Sequence, residues 1–193
     1  KGECSSLKTV LCSGEALTIE KVKSFRELFP TVRFDNLYGP TEAAVHVSSW
    51  SVPKDVSTLT NVPIGRPVAN TSLYILDSNN HLAPVGLVGE LCIGGDQVAI
   101  GYLNNEDLTK ERFIDNPFKG EERLYKTGDL ARWQPDGTIE FIGRADTQVK
   151  IRGYRIELGE IENVLTGLAC VAQCCVLAKA DHHGNNQLVA CVV

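Results

Sequence analysis

Residues 31–42 read TVRFDNLYGPTE. The first eight carry the β-branched and aromatic content of a strand, and Gly39-Pro40 ends the run in a turn. Upstream, LKTVLCSG (7–14) reads as a second, buried strand. Between them, TIEKVKSFRELF (18–29) sets Ile19, Val22, Phe25 and Phe29 on one helical face; SGEAL is expected to cap this helix, and Pro30 to end it. A strand–helix–strand unit predicts a parallel pair. Ligands on such sheets sit beyond the carboxyl ends of the strands, which is where YGPTE falls.

From about residue 45 the pattern changes to short alternating runs broken by Gly, Pro and Asn, a strand-rich, barrel-like region of hairpins. QPDG (134–137) is a turn, with Pro135 setting φ, and NEDLTKERFI (105–114) a short helix. The tail differs again. RIELGEIENVLTGL (155–168) spaces Ile156, Ile161, Leu165 and Leu168 as a helix, and VAQCCVLAKA and QLVACVV read as strands joined through DHHGNN. The expected organisation is an α/β unit and β-rich region over 1–145, then a small, incomplete α+β unit over 146–193.

The bulk numbers exclude several classes. Of 193 residues, 43% are hydrophobic and 22% charged, enough for a packed core. A net charge of −5 argues against nucleic acid as a partner. No apolar run approaches the ~20 residues of a membrane span, and KGECSSLKTV lacks the apolar segment of a signal peptide. Seven cysteines, an odd number lying mostly in apolar runs, suggest buried thiols in a reducing, cytoplasmic setting. Without a C-x-x-C pair, Cys170, Cys174, Cys175, His182 and His183 are weak candidates for zinc.

Three clusters can carry chemistry. In YGPTE, Tyr38 offers a flat face, Thr41 a hydroxyl and Glu42 a hard oxygen ligand suited to Mg²⁺, although a helix cap with an incidental acid fits as well. In YKTGDL (125–130), Gly128 frees the backbone and Asp129 can accept from the two hydroxyls of a ribose, or can bond its own turn. In GRADTQVKIRGYRIELGEIE (143–162), Glu157, Glu160 and Glu162 suit the first turns of a helix, while Arg144, Lys150, Arg152, Arg155 and Gly153 are left less explained.

In this order, NLYGPTE, GELCIGGDQVAIGYL, RLYKTGDLARW and GRADTQVKIRGYRIELGEIE resemble the adenylation domain of a non-ribosomal peptide synthetase, within the adenylate-forming enzymes. The resemblance spans essentially the whole chain. It implies an ATP-dependent ligase that forms an aminoacyl adenylate from an amino acid and Mg·ATP, then passes it to the phosphopantetheine thiol of a carrier domain, beside other synthetase domains. It further implies that Tyr38, Gly39, Asp129, Phe141 and Arg144 bind the nucleotide, with Phe141 standing where the family often has Tyr. Thr41 would touch phosphate and Glu42 would hold Mg²⁺. Asp146 would be a hinge, and Lys150 and Gly153 would lie on the thiolation loop. The amino acid pocket would include Leu11, Ser13, Leu37, Val45 and His46, a mixture suited to serine, threonine or cysteine.

By the same resemblance the phosphate loop, the ammonium-binding Asp and a C-terminal lysine fall outside these residues. The stretch is therefore expected to be a partial domain that is inactive alone. Two alternatives stand beside this: a stand-alone D-alanine–carrier or acyl-CoA-type ligase, and a non-catalytic nucleotide-binding or interaction module.

Overall fold

The computed structural model describes residues 4–120, 122–151, 153–180 and 186–193. They form two compact units, Lys1–Ala145 and Asp146–Val193.

The first unit opens with β1 (Thr9–Cys12), α1 (Ile19–Leu28) and β2 (Arg33–Tyr38), and β1 and β2 pair in parallel with Val10 opposite Phe34. The helix cap is not within SGEAL. Thr18 holds the extended conformation of an N-cap, and its hydroxyl accepts from the Lys21 amide at 3.4 Å. Val22 and Phe25 pack toward Phe34, whose ring lies 4.3 Å from that of Phe25. Arg26, on the same helix, is also buried. Its guanidinium donates to the carbonyls of Val32, Val52 and Pro53 at 2.6, 2.6 and 3.0 Å, tying the helix to the strand ends. β3 (Ser48–Ser51) and β4 (Arg66–Pro67) complete a sheet of order β1-β2-β3-β4.

A second, antiparallel sheet contains β5 (Thr71–Leu76), β6 (Gly89–Gly95), β7 (Phe113–Asp115), β8 (Arg123–Trp133) and β9 (Ile139–Arg144). The long β8 pairs with β6 along one edge and with β7 and β9 along the other. The sheet is thus branched and open, and among the described residues no barrel closes. The expected QPDG turn is present, with the Gly137 amide donating to the Gln134 carbonyl at 2.9 Å. α2 (Glu106–Arg112) is shorter than expected, because Phe113 and Ile114 leave the helix to begin β7, where Phe113 enters the core.

Residues 61–65 stitch the two sheets together. Pro63 accepts from the Asn36 side chain at 2.9 Å and Ile64 from the Ser48 hydroxyl at 2.7 Å. Ile64 and Gly65 exchange backbone bonds with Ile139 at 2.8 Å. β2 and β9 are thereby held to one frame around a core of Val47, Ile64, Leu91, Ile93, Tyr125 and Ile139.

The second unit has a hairpin of β10 (Val149–Ile151) and β11 (Tyr154–Ile156), then α3 (Leu158–Thr166), then paired β12 (Cys174–Ala180) and β13 (Asn186–Val192). The expected helix thus begins three residues late. Ile156 lies on a strand, because Gly153 at φ +80° turns the chain back and pairs Lys150 with Arg155. The acids differ too. Glu157 precedes the helix and accepts from the Gln148 side chain, and Glu162 accepts the Val176 amide at 2.7 Å, so only Glu160 remains to favour the helix dipole. Arg152, His182 and His183 lie outside the described residues. No described helix is long and apolar enough to cross a membrane.

Gly65 tests the stitching. It sits at φ +91°, and a Cβ there would lie 1.9 Å from the Ser49 carbonyl oxygen, whereas one on Gly14 (φ +93°) would meet nothing within 4 Å. Gly65→Ala should cost about 2–4 kcal/mol in urea unfolding and Gly14→Ala about 1–2 kcal/mol. Equal costs would contradict the close approach.

Candidate nucleotide site

β8 does not run straight past β6. Between the pairs Glu90–Leu130 and Cys92–Lys126, β6 contributes Leu91 alone while β8 contributes Thr127, Gly128 and Asp129. Such an irregularity bends a strand and re-aims its side chains. Gly128 takes φ +72°, its amide donates to the Glu90 carboxylate at 3.0 Å, and the Thr127 hydroxyl donates to the Leu91 carbonyl at 2.7 Å while accepting from the Asp129 amide at 2.9 Å. Asp129 is therefore a strand residue fixed by its neighbours.

Asp129 is only 6% exposed, and both carboxylate oxygens are engaged. Arg144 lies directly opposite on β9, and its Nη1 donates to Oδ1 at 2.7 Å. The Tyr38 hydroxyl, from the end of β2, donates to Oδ2. Burial first, and the Asp129 charge second, push the Tyr38 phenol well above the usual tyrosine range. The phenol is thus held protonated, as a donor must be. Phe141, half-buried on β9, lies with its ring centre 6.5 Å from that of Tyr38. Four of the expected nucleotide residues are gathered here, and one hydrogen bond among them joins positions 91 apart in the chain.

The chain beyond Tyr38 turns sharply. A Cβ on Gly39 would sit 2.4 Å from the Val45 carbonyl oxygen, so the glycine is needed for close approach. Thr41–Ala43 form one 3₁₀ turn without a side-chain cap, so the cap alternative for Thr41 is not what the structure shows. Ala44 and Val45 then follow at φ 54° and 73°. Left-handed backbone is costly for a β-branched residue and concentrates at functional sites. Thr41 is exposed; Glu42 is buried, with its Oε1 accepting from the Tyr102 hydroxyl at 2.7 Å. Tyr102 is a site residue that sequence reasoning passed over. It lay inside GYL, but nothing local signals a partner 60 positions away. Among the described residues no three His, Cys, Asp or Glu groups cluster as a metal cage.

The expected substrate-pocket residues come from three segments: the end of β1, β2 and the turn after Tyr38. Leu11 and Leu37 share one face of the β1–β2 pair, opposite to Phe34 and Tyr38, as the register of Leu11 with Asp35 requires. Ser13 follows β1, while Val45 and His46 lie on the strained turn. Leu11 is 58% and Val45 49% exposed, so neither is an ordinary core residue. On this face Asp35, not foreseen, is buried between Arg33 Nε and the Ser51 hydroxyl, each at 2.7 Å. In the second unit, Asp146 accepts the Gln148 amide at 3.2 Å, Lys150 lies on β10, and Gly153 forms the exposed hairpin turn.

Comparison with known proteins gives this geometry a context. A family described as AMP-binding enzyme matches residues 1–103. Tyrocidine synthase 3 of Brevibacillus parabrevis is 48% identical over 190 residues, 98% of this chain and 3% of that protein. Bacitracin synthase 1 of Bacillus licheniformis is 47% identical over 187 residues, 95% of this chain and 4% of that one. Among solved structures, PA1221, an NRPS protein containing adenylation and PCP domains, superposes with a TM-score of 0.85 at 31% identity, covering 97% of this chain and 38% of its own. The chain thus spans a small part of the relatives it matches. It belongs to the AMP-binding enzyme family, among the adenylation domains of non-ribosomal peptide synthetases.

Proposed function

We propose that the Asp129 cluster grips the ribose of ATP, and that this chain supplies that grip to a reaction activating an amino acid as its adenylate for a carrier-borne phosphopantetheine thiol. The observation that carries the reading is the buried Asp129 carboxylate, oriented by Tyr38 on one oxygen and Arg144 on the other. A carboxylate held in one plane can accept from both hydroxyls of a cis diol. Orientation set before binding removes the entropy cost of ordering it at the moment of recognition.

Tyr38 and Phe141 offer the aromatic surface for adenine, and Gly39 lets the chain turn tightly against Val45 beside the nucleotide. Thr41, exposed at the start of its turn, presents its hydroxyl to phosphate. Glu42 is the candidate Mg²⁺ ligand. A carboxylate that belongs to no metal cage among the described residues fits an ion that keeps several waters and takes its other ligands from phosphates. Mg²⁺ bound there would neutralise charge gathering on the α-phosphate. Asp146 begins the second unit, where a hinge would lie. Gly153, at φ +80° on the tip beyond Lys150, is suited to the thiolation loop facing the pantetheine arm. Leu11, Ser13, Leu37, Val45 and His46 would line a pocket for serine, threonine or cysteine. Seven free thiols fit a reducing, cytoplasmic setting.

Ribose recognition is tested by calorimetry with ATP and 2′,3′-dideoxy-ATP on the protein that carries this chain. A hydrogen bond to a charged group contributes about 1.5–3 kcal/mol, so the dideoxy nucleotide should bind roughly 10- to 150-fold more weakly. Asp129→Asn should bind both nucleotides weakly and nearly alike. Undiminished discrimination in that variant would overturn the assignment. Amino acid choice is tested by pyrophosphate exchange, with serine, threonine or cysteine expected to exceed tryptophan; the reverse order would remove the pocket reading.

A further inference from the structure

We propose that Cys175 and Cys191 form an oxidisable dithiol in the second unit, a modification site separate from the nucleotide site. The two residues face each other directly across β12 and β13. The kind of pairing follows from the sheet end. Val193 N donates to Gln173 O at 2.9 Å and Gln173 N to Val193 O at 3.3 Å, a mutually hydrogen-bonded pair. Antiparallel pairs alternate, so Cys174–Val192 is non-hydrogen-bonded and Cys175–Cys191 is hydrogen-bonded, with Cα atoms about 5.5 Å apart. That separation falls within the roughly 4.4–6.8 Å that disulfides span. Opposed residues also point to the same face.

The face matters. α3 covers the side carrying Val176, which is buried and whose amide binds Glu162. Cys175, Leu177, Val189 and Cys191 alternate onto the other side, and all four are exposed. Two other thiols are set apart from this pair by burial. Cys174 points to the α3 side, where burial and then the Glu162 carboxylate raise its pKa. Cys92, in the first unit, is fully buried and its thiol is pushed up to about 12.

The co-reactant is a low-molecular-weight disulfide. The thiolate of one cysteine attacks a sulfur of R–S–S–R and expels R–S⁻, leaving a mixed disulfide. The second cysteine loses its proton to water, and its thiolate attacks the protein-bound sulfur and expels the second R–S⁻. The protein gives up two electrons, and the small disulfide becomes two thiols. Side chains of a hydrogen-bonded pair begin about 5.5 Å apart at Cβ, whereas a disulfide needs about 3.5–4.5 Å. The strands must close by about an ångström, so the link is strained and is returned readily to thiols. The site is thus a reversible one.

The test uses the protein that carries this chain, exposed to oxidised glutathione, quenched with a maleimide and mapped by peptide mass spectrometry. The expected product is a peptide pair joined through Cys175 and Cys191, two hydrogens lighter than the reduced pair, with loss of maleimide on both and full recovery after reduced glutathione. Cys175→Ser and Cys191→Ser should each abolish the link, and Cys174→Ser should leave it intact. Glutathione retained separately on either cysteine, a link through Cys174, or full maleimide labelling of both after oxidation would each overturn the proposal.

Discussion

A buried carboxylate shared by a phenol and a guanidinium is the interaction on which the meeting of the two sheets depends. Asp129 gives up hydration on entering the protein, and that loss is offset only if its partners arrive in good geometry. They come from distant stretches: Arg144 across the β8–β9 ladder, and Tyr38 from the end of a strand in the other sheet. Removing a single partner from a buried ion pair typically costs about 3–5 kcal/mol, because the remaining charge is stranded. The cluster is therefore also a constraint on how the two sheets meet, and Ile64 and Gly65, bonded to Ile139, enforce the same meeting through the backbone.

The turn after Tyr38 carries the complementary cost. Two successive non-glycine residues in left-handed backbone are each expected to cost about 1–3 kcal/mol. The reversal they make places Glu42 inside, where Tyr102 holds one carboxylate oxygen, and leaves Thr41 outside. A hydroxyl and a carboxylate adjacent in sequence thus acquire different surroundings. Strain at this turn and order at Asp129 both lie within the unit Lys1–Ala145.

Much of this was legible in the chain. The alternation of TVRFDNLY and the spacing of Val22 and Phe25 yield the parallel β1–β2 pair with its helix, because burial on one face dictates both periods. The motif strings lead to the family. Less legible was whatever depends on long-range partners. Arg26 reads as a surface arginine in a helix, yet three carbonyls from two strand ends enclose it. Tyr102 carries no local sign of Glu42. Gly153 carries no local sign that the chain folds back there as a hairpin, which takes Ile156 out of the helix. The barrel-like impression of residues 45–145 came from hairpin spacing, which fixes which strands are neighbours but not whether the sheet closes.

Tyr38 and Asp129 act as one unit, and a double-mutant cycle in urea unfolding with Tyr38→Phe, Asp129→Asn and the double variant measures this directly. A coupling free energy of about 1–3 kcal/mol is predicted, because each single change leaves a buried polar partner unpaired. Costs that add within about 0.3–0.5 kcal/mol would contradict it, since independent residues behave that way.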